Sequence, residues 1–129
     1  DCGNSLNENI DIGQIEGGFV QGLGWLTCEE LYFSKEGKLL TTGPSTYKLP
    51  GSRDIPSIFN VKLLEDADND EKTIFRSKAV GEPPLLLAIS HFLALKEAIK
   101  VASSSSNPEL LNSPATPSEI LKAINSLTS

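Results

Sequence analysis

Gly81-Glu82-Pro83-Pro84 sets a carboxylate between a residue with no side chain and two prolines. Held that way, Glu82 could act as a general base, with stiff backbone behind it and room for a reacting molecule beside Gly81. From the residues alone a plainer role is the better reading: a first-turn glutamate stabilised by the dipole of a following helix, by about 0.3–1 kcal/mol. Gln14 offers a carboxamide that can both donate and accept. Its plainer role is to partner Asp11 in a capping box. His91 is the single histidine, so any Ser-His or Cys-His nucleophilic pair would have to use it. It falls among Ile89, Phe92 and Leu93, the ordinary setting of a packed or partly exposed helical histidine.

Other constellations fail on spacing. Asp66, Asp68, Asn69, Asp70 and Glu71 resemble the start of a calcium loop. The sixth position is Glu71 where a turning glycine is needed, and the twelfth is Ser77 where a bidentate glutamate is needed. A solvated acidic loop is the better reading. Cys2 and Cys28 lack the further Cys or His ligands of a structural zinc site. Gly22-Leu23-Gly24 lacks the third glycine and the preceding strand of a dinucleotide fingerprint. No metal ligands are assigned.

The 129 residues suffice for one domain or a piece of one, and can bury a core of their own. Hydrophobic residues at 39% and charged residues at 22% describe a globular chain. Eleven basic against seventeen acidic residues leave a net charge of -6. That balance excludes a phosphate-tracking nucleic-acid surface or an anionic-lipid binder, both of which need clustered Lys and Arg. The longest apolar run, 83–89, is too short to span a bilayer. Two cysteines, no glycosylation sequon and no secretory leader point to a reducing compartment, the cytoplasm. A chain without methionine, opening on Asp1-Cys2-Gly3-Asn4, reads as part of a longer polypeptide.

Several elements must position these residues. Ile12, Ile15, Phe19, Leu23 and Leu26 recur at helical steps, which predicts a helix from an Asp11 N-cap to about Leu31. Gly13, Gly17, Gly18, Gly22 and Gly24 lie inside it, each at a cost of roughly 1 kcal/mol against alanine. Such a helix needs close approach of another backbone or a ligand. A hairpin is expected over 31–42 with Gly37 in its turn, then an extended loop over 43–51. Strands are expected at 58–64 and around 73–76. A strongly apolar helix, largely buried, should run from Leu85 to about Ala102 with Pro84 in its first turn. The Ser-rich stretch 103–106 reads as a linker. Thr116-Pro117-Ser118-Glu119 then starts a last helix, burying Ile120, Leu121, Ile124 and Leu127. This order gives an α/β architecture of α+β layers.

Ser77-Lys78-Ala79-Val80-Gly81-Glu82-Pro83-Pro84 resembles a signature of the molybdenum hydroxylases, the xanthine dehydrogenase and aldehyde oxidase family. The stretches 1–7, 11–24, 43–50 and 113–117 resemble further blocks of that family, in the family's order, so the likeness covers nearly the whole chain. Gly24-Trp25-Leu26-Thr27-Cys28-Glu29-Glu30-Leu31 is most similar to the molybdopterin-binding subunit of bacterial-type xanthine dehydrogenases.

The resemblance implies a C-terminal segment of the molybdopterin-binding domain. Residues 1–102 would form its share of the cofactor pocket, 103–115 a flexible linker and 116–127 a terminal helix. It also implies hydroxylation of a xanthine- or hypoxanthine-type purine with oxygen from water; an aldehyde oxidase or a non-catalytic assembly module is the alternative. Glu82 matches the family's glutamate base, which takes a proton from a molybdenum-bound hydroxide. Gln14 matches the glutamine at the molybdenum end of the cofactor, with Gly13 and Gly81 beside it. The implied partners are the rest of the domain, iron–sulfur (2Fe-2S) and flavin (FAD) domains or subunits, and NAD as acceptor. The isolated 129 residues are expected to hold no cofactor and to leave apolar surface exposed.

Overall fold

Asn7 starts the first helix. Its side chain accepts the amide of Ile10 at 3.3 Å from an extended backbone, so helix α1 runs Glu8–Thr27. The expected Asp11 cap is therefore wrong by one turn. Asp11 lies inside α1 and accepts the Ser5 hydroxyl instead. The helix also stops earlier than Leu31. The amides of Cys28 and Glu29 both return to the Gly24 carbonyl, at 3.0 and 2.9 Å, and close the last turn. These positions come from a computed structural model that describes residues 1–65, 67, 69–103 and 111–128.

Beyond α1 the chain makes a short hairpin. Phe33 and Leu39 bridge, Ser34 N donates to the Lys38 carbonyl at 2.8 Å, and Gly37 takes φ 82 in the turn. The loop over 43–51 folds back on the end of α1, where the Tyr47 hydroxyl donates to Glu29 at 2.5 Å.

Neither expected strand forms. Residues 58–64 join no ladder: Ile58 and Leu64 are 79% and 85% exposed, while Phe59 stacks on Phe19 of α1 at 5.4 Å. β-Branched composition yields a strand only where a partner edge exists, and none of the described residues supplies one. Ile74–Arg76 is a 3-10 turn with Phe75 at φ 51 and Arg76 at φ 56. Left-handed residues cannot continue a strand. The second isolated bridge, Gly3 with Ser77, follows this turn. Among the described residues, regular structure is thus helical with two antiparallel bridges.

The Pro-Pro pair opens a 3-10 helix, Pro83–Ala88, which runs directly into α2, Ile89–Ser103. The helix expected from Leu85 is present, but it is less buried than its composition suggests. Leu86, Leu93 and Val101 are 63%, 54% and 78% exposed, because the chain has too few neighbouring elements to cover more than one stripe. That stripe, Phe92, Leu95 and Ile99, meets Leu111, Ala115 and Ala123 in a small core. Residues 104–110 of the expected linker lie outside the described residues, while Leu111 and Ala115 beyond it are buried.

Helix α3, Pro117–Thr128, has the expected Thr116 cap, whose hydroxyl accepts the Glu119 amide at 3.3 Å. The reciprocal half of the box does not form. The Glu119 carboxylate is taken by Lys122 at 2.6 Å and Asn112 at 3.2 Å, which together lower its pKa. Ile120 and Ile124 are half-buried as expected, but Leu121 is exposed and Ala123 takes the innermost place. The side chain of Leu127 lies outside the described ones. None of the described helices is long and apolar enough to cross a membrane.

The contact that organises these parts is between α1 and Pro83–Ala88. A Cβ on Gly22 would run into the Leu85 carbonyl oxygen and lie 2.8 Å from the Ala88 Cβ. On Gly18 it would sit 3.1 Å from the Pro84 Cβ. Gly17, one step round the helix, has nothing within 4 Å. Gly22→Ala should therefore destabilise the chain by about 1–3 kcal/mol through overpacking. Gly17→Ala should stabilise it by about 0.5–1 kcal/mol through helix propensity. Urea midpoints of the two variants check the pair; equal effects would contradict the packing.

Tyr47 generates a second expectation. Donation to Glu29 raises its pKa above the ordinary 10.0, with burial and the Glu29 charge adding to the effect. A raised folded value means stabilisation present below about pH 10 and lost as pH rises through the folded value. Tyr47→Phe should be less stable than the parent at pH 8, with the gap closing above pH 10, as read from unfolding midpoints.

Candidate active site

Gln14, Gly17, Gly18 and Gln21 fall at steps of three and four, so one face of α1 carries all of them. That face meets the Gly81-Glu82 turn. Together these six residues line a cleft of about 250 Å³. Glu82 is its single ionisable side chain, and no basic group shares the lining.

The turn is built from the backbone outward. Glu82 takes φ -75 and ψ -13, its carbonyl accepts the Leu85 amide at 2.8 Å, and Pro83 and Pro84 occupy the first helical positions. Its carboxylate caps none of the helix amides. The residue is exposed and lines the cleft. A local dipole role does not use it as a cap.

Gln14 is bound elsewhere than the capping box. Its Nε2 donates to the Val80 carbonyl at 3.3 Å, two residues before Glu82, and so ties α1 to the turn. The tertiary contact wins over the local one because Asp11 is no longer at the helix start.

Gln14, Gly81 and Glu82 are thus brought together. Gly13 is not: it lies on an exposed face of α1, with nothing within 4 Å of its would-be side chain, outside the cleft lining. Gly17, Gly18 and Gln21 were not singled out as site residues from sequence. The helical spacing from Gln14 was the signal that could have found them.

The remaining candidates stay apart from the cleft. His91 is half-buried on the first turn of α2. Burial pushes the Cys28 thiol above its ordinary value, against a smaller lowering by Thr27. Among the described residues no group of three His, Cys, Asp or Glu could hold a metal. A larger groove of about 420 Å³ lies beside Leu6, Ile10 and Ile74. It is mostly apolar, and its one cation, Lys78, is paired to Asp1 at 3.2 Å.

Comparison with known proteins identifies the family. Residues 1–56 match the family described as the molybdopterin cofactor-binding domain. The chain is 57% identical over 130 residues to the xanthine dehydrogenase/oxidase of Felis catus, covering 95% of this chain and 10% of that protein. It is 53% identical over 119 residues to the xanthine dehydrogenase of Dictyostelium discoideum, covering 90% and 9%. Xanthine dehydrogenase 2 of Arabidopsis thaliana is 53% identical over 133 residues, with 95% and 10% covered. A Cu,Mo-CO dehydrogenase crystal structure superposes with a TM-score of 0.69 at 21% identity, covering 98% of this chain and 15% of that one. At that identity the likeness is one of fold alone.

The chain belongs to the xanthine dehydrogenase family. It spans about a tenth of the length of the curated relatives it matches.

The Gln14–Val80 bond gives a direct test of the cleft. Gln14→Glu would set a carboxylate against the Val80 carbonyl and near Glu82. We expect a loss of about 1 kcal/mol at pH 7, recovered toward pH 4 as the new carboxyl gains a proton and can donate. Unfolding midpoints at the two pH values read it; a pH-independent difference would contradict the contact.

Proposed function

We propose that this chain supplies the proton-accepting base and one wall of the cofactor pocket to a molybdenum-dependent hydroxylase that oxidises purines of the xanthine and hypoxanthine type. The observation that carries the reading is the shared cleft of Gln14, Gln21, Gly81 and Glu82, with the carboxylate uncommitted to any cap. The donor set suits a polar cofactor. Carboxamides can donate to its heteroatoms, and Gly17 leaves backbone uncovered on the cleft wall.

In this reading Gln14 and Gln21 orient the bound group, with Gly17 and Gly81 allowing close approach. When bound, the molybdenum cofactor supplies the two-electron oxidation of the carbon centre. Glu82 takes the proton of the attacking water, which needs a carboxylate within hydrogen-bond reach and little else. The two prolines hold that carboxylate in place before substrate arrives, so little rotational freedom is lost at the transition state. Gln14, anchored on Val80, keeps α1 and the base-bearing turn at a constant spacing. Iron–sulfur and flavin groups in other domains or subunits would carry the electrons away, with NAD as the final acceptor, in the cytoplasm. The matched relatives, all named xanthine dehydrogenases, favour the purine over an aldehyde substrate.

The test is xanthine turnover by the intact parent protein beside its Glu82→Gln variant. Gln keeps the shape of the side chain but accepts no proton. Turnover should fall by about two to four orders of magnitude while molybdenum content stays at the parent level. Near-normal turnover in the variant would overturn Glu82 as the base. No xanthine activity in a molybdenum-loaded parent would move the substrate to an aldehyde or another heterocycle.

A further inference from the structure

We propose that Asn69 is a positioning residue for the base-bearing loop, holding a left-handed turn that fixes where the segment leading to Glu82 begins. The proposal rests on the reading of Glu82 as the base.

Asn69 stands in a stretch whose composition predicts solvated loop, yet it is 5% exposed. Its side chain is fully engaged. Nδ2 donates to the Arg76 carbonyl at 2.9 Å and to the Thr73 hydroxyl at 3.3 Å, and Oδ1 accepts the Glu71 amide at 3.0 Å. The Arg76 guanidinium donates back to the Asn69 carbonyl at 2.9 Å, closing a ring across residues 69–76.

Inside that ring Phe75 and Arg76 both have positive φ, 51 and 56. L-residues rarely enter this region, and two in succession need an external partner. Packing does not provide one, since Phe75 is 76% exposed. The Asn69 amide does.

The turn then delivers the Arg76 carbonyl to a second use. It accepts the Asn4 amide at 2.9 Å, and the strap Cys2–Asn4 lies alongside: Gly3 bridges Ser77, and Lys78 N donates to the Cys2 carbonyl at 2.8 Å. The fit is tight enough that a Cβ on Gly3 would meet the Arg76 carbonyl oxygen. Two residues further, Val80 is held by Gln14 from α1. The segment 76–80 is therefore fastened at its start by the Asn69 turn and strap, and at its end by α1. Glu82 follows directly.

The experiment uses the intact parent enzyme, with Asn69→Ala compared with Asn69→Ala/Phe75→Gly. Glycine adopts φ 51 freely, so it should restore a turn that has lost its side-chain support. Hydrogen exchange of the Asn4 and Lys78 amides should quicken about tenfold or more in Asn69→Ala and return most of the way in the double variant. Xanthine kcat should fall about tenfold or more with KM changed by less than about threefold, and recover with the same second substitution. Unchanged exchange and kcat in Asn69→Ala, or losses that Phe75→Gly leaves unrepaired, would overturn the proposal. If Asn69→Ala fails to fold, Asn69→Asp keeps the acceptor for Glu71 and removes both donors, and the same outcomes decide. Glu82→Gln run alongside separates the two ideas. If its turnover is near normal, the base assignment fails, and the exchange data alone decide whether Asn69 holds the turn.

Discussion

Everything in this structure that concerns the cleft depends on how closely α1 can approach the Pro83–Ala88 helix. Gly22 and Gly18 have no side chain where the Leu85 carbonyl, the Ala88 methyl and the Pro84 ring come down on the helix. An α1 built on alanines would be a better helix in isolation and would stand off by the depth of a methyl group. The helix-propensity cost of the glycines, roughly 1 kcal/mol each, is offset by the burial it permits. It also brings Gln14 within hydrogen-bond distance of Val80, one residue before the Gly81-Glu82 turn. Position of the Glu82 backbone is thus a packing result.

Glu82 caps no helix amide, as its proposed role as a base requires. A base must be rigid in position yet uncommitted in its lone pairs. The prolines and the glycine contact stiffen the backbone that carries Glu82, and the carboxylate makes no cap bond. Large apolar side chains such as Leu86, Phe75 and Trp25 remain exposed, while the core is a handful of small or medium residues. A segment that is about a tenth of its relatives' length has few surfaces on which to lay those side chains.

Much of this could be read from the residues. The three helices, the short hairpin and the Pro-Pro helix start follow from periodicity and turn chemistry, and Gln14 and Glu82 are singled out by the family blocks. The failures have physical causes. Asp11 was a good cap in the wrong place, because Asn7 offers the same chemistry one turn earlier and leaves Asp11 for Ser5. Ile58 to Leu64 had strand composition without a partner edge, and Phe59 settled on Phe19 instead. Phe75 and Arg76 could not be foreseen as left-handed, since neither residue type favours it. The amide that holds them sits six and seven residues away in a run that reads as plain solvated acid. Gly13 belongs to the family block and shares a helix face with Gly17, but it lies one turn before the cleft lining in this chain.

The central claim is that the glycine-set spacing of α1 and the Pro83–Ala88 helix aims Glu82 at the reacting end of the cofactor. A crystal structure of the intact parent protein with its molybdenum cofactor bound tests this most directly. The Glu82 carboxylate should face the molybdenum within reach of one hydrogen-bonded water, with the Gln14 side chain contacting the same end of the cofactor. A Glu82 side chain turned away from the metal, or covered by another part of the polypeptide, would contradict it.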